Sequence, residues 1–310
     1  DDAIQQCIDD ILNDIETKHL DSSLAFGLAG VSYALQTAYK LNQKDKIDPE
    51  WLEDLDVLLA ESAQHFLEIS DFDFFRGASG IITYMLQFYP NDEVLSNYVM
   101  ALYEKAVWNE YGCYWIFYSF DPEVRTFTYR EDLVNLGLPH GVSGIISVLA
   151  ELYKKGVEQK KCYEMIKGAI KYLGKIQNHD HKSQFPPIFD QNNSSQETSP
   201  LGWCYGDSAL GLCILKAAQY CGNKAWYDFG EDICMRSTKR KIDESLLEEH
   251  GICHGYFGAM HIYGKLYKET QKNIYKDAKE YWFEVGISER DFNVNSLDFY
   301  QTDYGADYIP

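Results

Sequence analysis

Two potential metal ligands stand side by side near the C-terminal end of the sequence: Cys253 and His254, directly before Gly255. Neighbouring side chains on a regular helix point about 100° apart, because an α-helix has 3.6 residues per turn. A helix would therefore aim this thiol and this imidazole in different directions. A metal site that uses both needs a non-helical backbone here, and further ligands from other parts of the chain.

An internal repeat locates the elements that would position such ligands. Each copy has a glycine, two residues, a second small residue and an apolar run, and the leading glycines are Gly27, Gly77, Gly141, Gly206 and Gly255. The copies predict inner helices that are apolar nearly all round, and the amphipathic, charge-rich stretches between them predict outer helices. This alternation predicts an all-α fold, an α/α toroid in which a helical solenoid closes into a ring.

Two longer separations between copies predict insertions near residues 108–136 and 178–203. Apolar and aromatic runs in the first insertion predict a short strand hairpin, and turn-forming residues in the second predict a surface loop. We expect His179 and His181 in that loop to be solvated and not to bind metal. Residues 1–310 are expected to form a single toroid domain that carries both insertions.

The repeat also predicts which polar side chains meet. Equivalent positions lie at the same end of a ring, and six reactive residues stand one, two or four positions before a leading glycine: Asp73, His140, Cys204, Tyr205, Cys253 and His254. These positions precede the helices, and the glycine that follows allows unusual backbone dihedrals. Cys253 and His254 can then face the same point.

The chemistry of this set indicates a catalytic metal site. Two cysteines and one histidine leave the fourth position of a tetrahedral Zn²⁺ open, whereas a structural zinc normally has four protein ligands. Zinc can keep an incoming thiol deprotonated at neutral pH. His140, Tyr205 and Asp73 are candidates for moving protons around the site.

Composition narrows the functional class. With 28 basic and 48 acidic residues the net charge is −20, which argues against general nucleic-acid binding. No apolar window approaches the roughly 18 residues of a membrane span, and no secretory signal is seen. The eight dispersed cysteines predict reduced thiols in the cytoplasm and no disulfide framework.

At these residues the sequence resembles the LanC family, the lanthionine synthetase cyclases. The shared motifs lie in the family's order between residues 26 and 263: FGLAGVSYAL, DFFRGASGI, NLGLPHGVSGI, GWCYGDSAL and ICHGYFG. The resemblance implies an α/α toroid of seven hairpins around a single Zn²⁺, which Cys204, Cys253 and His254 would bind.

The resemblance also implies a reaction. A cysteine thiol of a dehydrated precursor peptide adds to dehydroalanine or dehydrobutyrine in the same peptide, which forms a lanthionine or methyllanthionine ring. His140 and Tyr205 would protonate the enolate or deprotonate the thiol, and Asp73 would orient His140. The implied partners are the precursor peptide, a dehydratase and a peptide exporter, with the protein in the cytoplasm or peripheral at the membrane in a biosynthetic complex.

Two features depart from the family pattern. Pro200 stands where bacterial cyclases often have an arginine, and Arg76 is a candidate to replace it. The C-terminal residues contain no clear copy of the last repeat of the family. The ring is therefore expected to close irregularly or to be incomplete at its C-terminal end.

Three other functions remain open from the sequence. A LanC-like protein could add glutathione or another small thiol to dehydroamino acids in proteins. The chain could also be the cyclase portion of a larger bifunctional synthetase, which its non-Met start permits. In a third interpretation the toroid is a non-catalytic peptide-binding scaffold that keeps zinc for structure, against which the intact Cys–Cys–His set argues.

Overall fold

A computed structural model describes residues 2–41, 47–116, 118–121, 126–179, 182–193 and 197–289. This part of the chain contains twelve helices: α1 (Asp2–Thr17), α2 (Leu28–Lys40), α3 (Pro49–Glu68), α4 (Ala78–Phe88), α5 (Asp92–Lys105), α6 (Val142–Lys155), α7 (Gln159–Ile176), α8 (Asp207–Cys221), α9 (Lys224–Ser237), α10 (Ile242–Ser245), α11 (Tyr256–Thr270) and α12 (Asn273–Ser288). It also contains six short strands: β1 (Val107–Asn109), β2 (Gly112–Tyr114), β3 (Tyr118–Asp121), β4 (Thr126–Tyr129), β5 (Leu133–Asn135) and β6 (Ile188–Asp190).

Five inner helices begin where the repeat predicts them. The leading glycines are the N-cap residues of α2, α4, α6, α8 and α11. Each of these helices packs against the next in the series, and outer helices alternate with them along the chain. Five inner helices occur within the described residues, so the seven hairpins implied by the resemblance are not all present there.

The main core lies between the inner and outer layers, where α4, α6, α7 and α8 meet. Leu149, Cys162, Leu173 and Ile214 are fully buried in it. The inner helix α8 buries residues on most of its circumference, from Asp207 to Ala218. Such burial is typical of a helix covered on both sides and agrees with the sequence pattern.

The fold is mostly helical, and its short strands lie in the two insertions and directly before the first of them. The strand hairpin expected in the first insertion is present as antiparallel β3–β4, and β1–β2 forms another. The sequence did not indicate that β5 of the first insertion pairs with β6 of the second, Val134 opposite Phe189. Parts of both insertions, residue 117 and residues 122–125, 180–181 and 194–196, lie outside the described residues.

The loops before the inner helices fold back over the start of their own helix. We call them the first to fifth mouth loops: residues 21–27, 71–77, 135–141, 200–206 and 249–255. Three of them begin with an Asx turn, in which the side-chain oxygen of Asp21, Asp71 or Asn135 accepts the N–H of the residue two positions later, at 2.8, 3.0 and 2.9 Å.

The small residues of the repeat allow this close return of the chain. A Cβ atom at Gly80 would overlap the carbonyl oxygen of Phe74, and one at Gly144 would overlap that of Leu138. The backbone that approaches each glycine therefore belongs to the mouth loop of the same repeat.

Backbone hydrogen bonds join each mouth loop to the next. The N–H three residues before one leading glycine donates to the C=O two residues before the next leading glycine: Leu24 to Phe75 (3.1 Å), Phe74 to Pro139 (2.9 Å), Leu138 to Cys204 (2.8 Å) and Trp203 to Cys253 (3.0 Å). We call this series the mouth relay. It confirms that equivalent positions of the repeat converge at one end of the fold.

Replacing Gly144 with alanine should test the close return. We expect Gly144→Ala to lower the free energy of unfolding by about 1–3 kcal/mol, because the new methyl group meets a backbone oxygen that cannot move freely. Urea denaturation followed by circular dichroism measures the change.

Gly174→Ala is the matched control for this prediction. Gly174 lies within α7, and an added Cβ would approach nothing closer than 3.9 Å. Alanine there should stabilise the helix by about 0.5–1 kcal/mol. Equal effects of the two substitutions would contradict the packing described for Gly144.

Candidate metal centre

The fourth and fifth mouth loops bring Cys204 and Cys253 together. The N–H groups of Trp203 and Cys204 both donate to the Cys253 carbonyl oxygen, at 3.0 and 3.2 Å. Gly202 permits this contact, since a Cβ atom there would lie 2.9 Å from the same oxygen. As a result, the Cα atoms of the two cysteines are 5.5 Å apart.

The two cysteines form a disulfide in this structure, and the other cysteines are free. This is the single pair among the eight cysteines, so the chain has no disulfide framework, as the sequence indicates. The Cα separation lies within the range that a disulfide can bridge. Only thiolates bind metal strongly, so the metal-binding form of Cys204 and Cys253 is the reduced one.

His254 completes a three-residue donor set. The sulfurs of Cys204 and Cys253 and a ring nitrogen of His254 all lie within 4.8 Å of one another. Helix α11 begins after these residues, at Tyr256, so the backbone of Cys253 and His254 is not helical. The structure thus brings the three predicted ligands together in the way that the repeat indicated.

The histidine ring has a different partner on each side. Nε2 of His254 is 3.7 Å from Cys253 Sγ, whereas Nδ1 is 3.6 Å from Glu249 Oε1. A carboxylate behind a ligating histidine typically fixes the ring orientation and the tautomer. Sequence reasoning missed Glu249, although a polar residue six positions before a leading glycine also begins three other mouth loops.

The site is buried on one side and open on the other. Cys204 is 3% exposed, but the side chain of His254 is 61% exposed. A molecule can therefore approach the donor set from solvent on the histidine side.

His140 and Asp73 form a close pair at the same mouth. His140 Nδ1 lies 2.6 Å from Asp73 Oδ2. The other carboxylate oxygen, Oδ1, accepts the N–H groups of Phe75 and Arg76 at 2.7 and 2.8 Å. These backbone bonds hold the carboxylate in place, so Asp73 fixes the orientation of the imidazole.

Aromatic contacts connect this pair to the metal-binding loop. The His140 ring meets the Phe75 ring edge-on, with centroids 5.5 Å apart, and Phe75 stacks on Trp203 at 5.4 Å. Trp203 directly precedes Cys204. Packed rings therefore connect His140 to the residue that directly precedes the first cysteine.

Tyr205 is held by a residue that the sequence did not reveal. Asn135, which is 7% exposed, donates from Nδ2 to the Tyr205 hydroxyl oxygen at 3.2 Å. Burial raises the pKa of Tyr205, the negative charge of Asp73 adds to this, and the hydrogen bond from Asn135 opposes it. The Tyr205 hydroxyl is therefore protonated at neutral pH, and the bond from Asn135 fixes its position.

Two other expectations concern residues near the mouth. The guanidinium of Arg76 lies 5.7 Å from the centre of the Phe26 ring, and its role as a substitute for the family arginine at Pro200 stays a prediction. His179 accepts a hydrogen bond through its carbonyl oxygen from Arg236 Nη2 at 3.1 Å, and it is not part of the donor cluster. His181 lies outside the described residues.

The structure is that of an α/α repeat protein in which a Cys–Cys–His set at one mouth could hold a metal ion. Residues 1–296 match the family model of the lanthionine synthetase C-like proteins, and the chain belongs to this family. Along the described part of the chain, every helix is too short or too polar to cross a membrane.

Two individual proteins are similar to this chain. The nisin biosynthesis protein NisC of Lactococcus lactis subsp. lactis is 24% identical over 207 residues, which are 62% of this chain and 48% of NisC. The structure of nisin cyclase matches with a TM-score of 0.74 and 19% identity, over 92% of this chain and 74% of that one. The sequence match thus spans about half the length of the curated relative, and the structural match indicates an α/α toroid.

The donor set makes a direct prediction about metal binding. Reduced protein should bind one divalent metal ion per chain. Loss of a hydrogen-bond partner of a metal ligand typically lowers the affinity for metal roughly 10–100-fold, and Cys253→Ala, which removes a ligand itself, should lower it by more. Titration against a chromophoric chelator measures the affinity. Cys7→Ala, which removes an exposed cysteine on α1, should leave it unchanged; a similar loss in both variants would contradict the assignment.

Proposed function

We propose that this chain is a zinc-dependent lanthipeptide cyclase. It would add cysteine thiols of a dehydrated peptide to dehydroalanine or dehydrobutyrine and so form lanthionine or methyllanthionine rings. The observation that carries the proposal is the Cys204–Cys253–His254 donor set beside the His140–Asp73 pair, in a chain of the LanC-like family.

The chemistry of the donor set fits zinc. Two thiolates and an imidazole are ligands that zinc prefers, and three protein ligands leave one position for a substrate. The exposed side of His254 supplies access to that position. Zinc bound by these residues would hold the substrate thiol as a thiolate at neutral pH.

The residues of the chain would supply the proton that the reaction needs. When sulfur attacks the β-carbon, a carbon–sulfur bond forms, the carbon–carbon double bond becomes single, and the electron pair moves to the α-carbon and its carbonyl as an enolate. One proton must then reach the α-carbon. Tyr205, whose hydroxyl is held by Asn135, and His140, oriented by Asp73, are the two candidates to deliver it.

The same groups could act in the opposite direction at the start of the cycle. The thiol proton must leave when the thiolate forms, and a neutral His140 can accept it through Nε2 while Nδ1 faces Asp73. His140 would then be the base and Tyr205 the acid. We further propose that residues 1–310 work as one domain in the cytoplasm, on peptide that a separate dehydratase supplies and an exporter removes.

Thiol consumption tests the function. A peptide with one cysteine and one dehydroalanine, incubated with reduced, zinc-loaded protein, should lose its free thiol without a change in mass. Cys204→Ala should reduce the rate to that of the peptide alone. Thiol loss unaffected by Cys204→Ala would remove the metal from the mechanism, and a reaction only with added glutathione would favour the small-thiol alternative.

Asp73→Asn tests the role of the histidine pair. The amide cannot hold the His140 ring as the carboxylate does, so we expect the ring-forming rate to fall about 10²–10⁴-fold, as for loss of a general acid or base. Zinc affinity should stay unchanged, because Asp73 is not in the donor set.

The matched control for this variant is Asp71→Asn. Asp71 lies in the same mouth loop, but its side chain bonds only to backbone among the hydrogen bonds of the described residues, at Asp73 N–H. Its amide can still form this Asx turn. A comparable loss of rate in both variants would contradict a specific role for the direct contact between Asp73 and His140.

A further inference from the structure

A buried ion pair lies behind the metal-binding loops. Asp207, the first residue of α8, follows Cys204 by three positions and is fully buried. Arg240, just before the short helix α10, is 2% exposed. Arg240 Nη1 lies 3.7 Å from Asp207 Oδ2. Neither residue belongs to the donor set or to the proton-transfer groups described above.

Arg240 bridges the two segments that carry the cysteines. Its Nη2 donates to the carbonyl oxygen of Ser199 at 2.6 Å and to that of Glu244 at 2.9 Å, and Nε donates to Glu244 at 3.2 Å. Ser199 directly precedes the fourth mouth loop, and Glu244 lies in α10, which leads into the fifth. A backbone hydrogen bond from Leu201 N–H to the Ser245 carbonyl oxygen, 2.8 Å long, joins the same segments.

Asp207 anchors the arrangement to the second insertion. Its carboxylate accepts the N–H groups of Gln184 and Phe185 at 3.0–3.2 Å. Burial raises the pKa of Asp207 to about 6, while the charge of Arg240 and the backbone donors oppose the rise. At neutral pH the group is therefore ionised and faces a fixed cation.

Stability alone is a weak reason for such a pair. Removing two charges from water is costly, and a buried ion pair often contributes no more to stability than apolar residues of the same size. A buried pair can instead select one arrangement of the chain. Here the arrangement that it selects is the relative position of the two segments that lead to Cys204 and Cys253.

We propose that Arg240 and Asp207 are positioning residues, which set the separation of the Cys204 and Cys253 sulfurs and thereby the affinity for metal. Arg240 fixes the start of the fourth mouth loop against α10, and the hydrogen bonds from Trp203 and Cys204 to Cys253 carry this position to the sulfurs. The inference rests on the proposed zinc site.

Arg240→Lys is the most informative variant. Lysine keeps the positive charge beside Asp207, but its single ammonium group cannot bridge the Ser199 and Glu244 carbonyl oxygens in the fork geometry of a guanidinium. We expect zinc affinity of the reduced protein to fall about 10–100-fold, the range seen when an outer support of a metal site is removed. When cobalt replaces zinc, the absorption bands of the thiolate–cobalt bonds should shift in this variant, although both cysteines are present and still bind the metal.

Glu231→Gln is the matched control. Glu231 is a second buried carboxylate, which accepts hydrogen bonds from Tyr275 and Lys272, each at 2.8 Å, between α9 and α12. This substitution should lower the thermal midpoint while zinc affinity and the cobalt spectrum stay as in the wild type. Asp207→Asn, which is nearly isosteric, serves as the second test variant if Arg240→Lys does not fold.

The outcomes separate this inference from the proposed function. A reduced wild-type protein that binds no zinc would overturn both. Zinc bound by the wild type, with unchanged affinity and cobalt spectrum in folded Arg240→Lys or Asp207→Asn, would overturn the positioning role alone. An equal loss of affinity in Glu231→Gln would also overturn it, because general destabilisation would then explain the effect.

Discussion

The mouth relay is the interaction on which the rest of the site depends. The local hydrophobic pattern is enough to form an inner helix. Side chains from different repeats can meet only if the starts of neighbouring inner helices are held in fixed relative positions. One backbone hydrogen bond between each mouth loop and the next provides this placement. Its donor is the N–H three residues before one leading glycine, and its acceptor is the C=O two residues before the next leading glycine. Cys204 and Cys253 are themselves acceptors in the series, so the groups that carry the sulfurs also hold the loops together.

The same constraint explains why two polar residues at the mouth, Asp73 and Asn135, each make two kinds of contact. Asp73 and Asn135 each use one side-chain oxygen to bind backbone N–H groups of their own loop and the remaining polar atom to hold His140 or Tyr205. Loop structure and side-chain orientation are thus set by the same residues. The reacting groups are fixed by short contacts, although all of them lie outside regular helices.

The sequence predicts much of the candidate site because the repeat shows which residues occupy equivalent positions in the fold. Equivalent positions of a repeat must lie at one end of the fold, and this was enough to collect His140, Tyr205, Asp73 and the three metal donors. The repeat was less informative about which side chains contact each other within one mouth loop or between neighbouring loops. Glu249 and Asn135 stand six positions before a leading glycine, and their contacts with His254 and Tyr205 follow only once the close return of the loop is known. The pairing of β5 with β6 was missed because three-residue strands from separate insertions have no periodicity to detect.

That pairing has a consequence for how this fold can change. The β5 strand ends at Asn135, where the third mouth loop begins, and its partner β6 lies in the insertion that leads to the fourth. The two insertions are therefore structurally coupled through this strand pair. A change in the length of one insertion would require a matching change in the other. We therefore expect the two segments to vary together among related proteins.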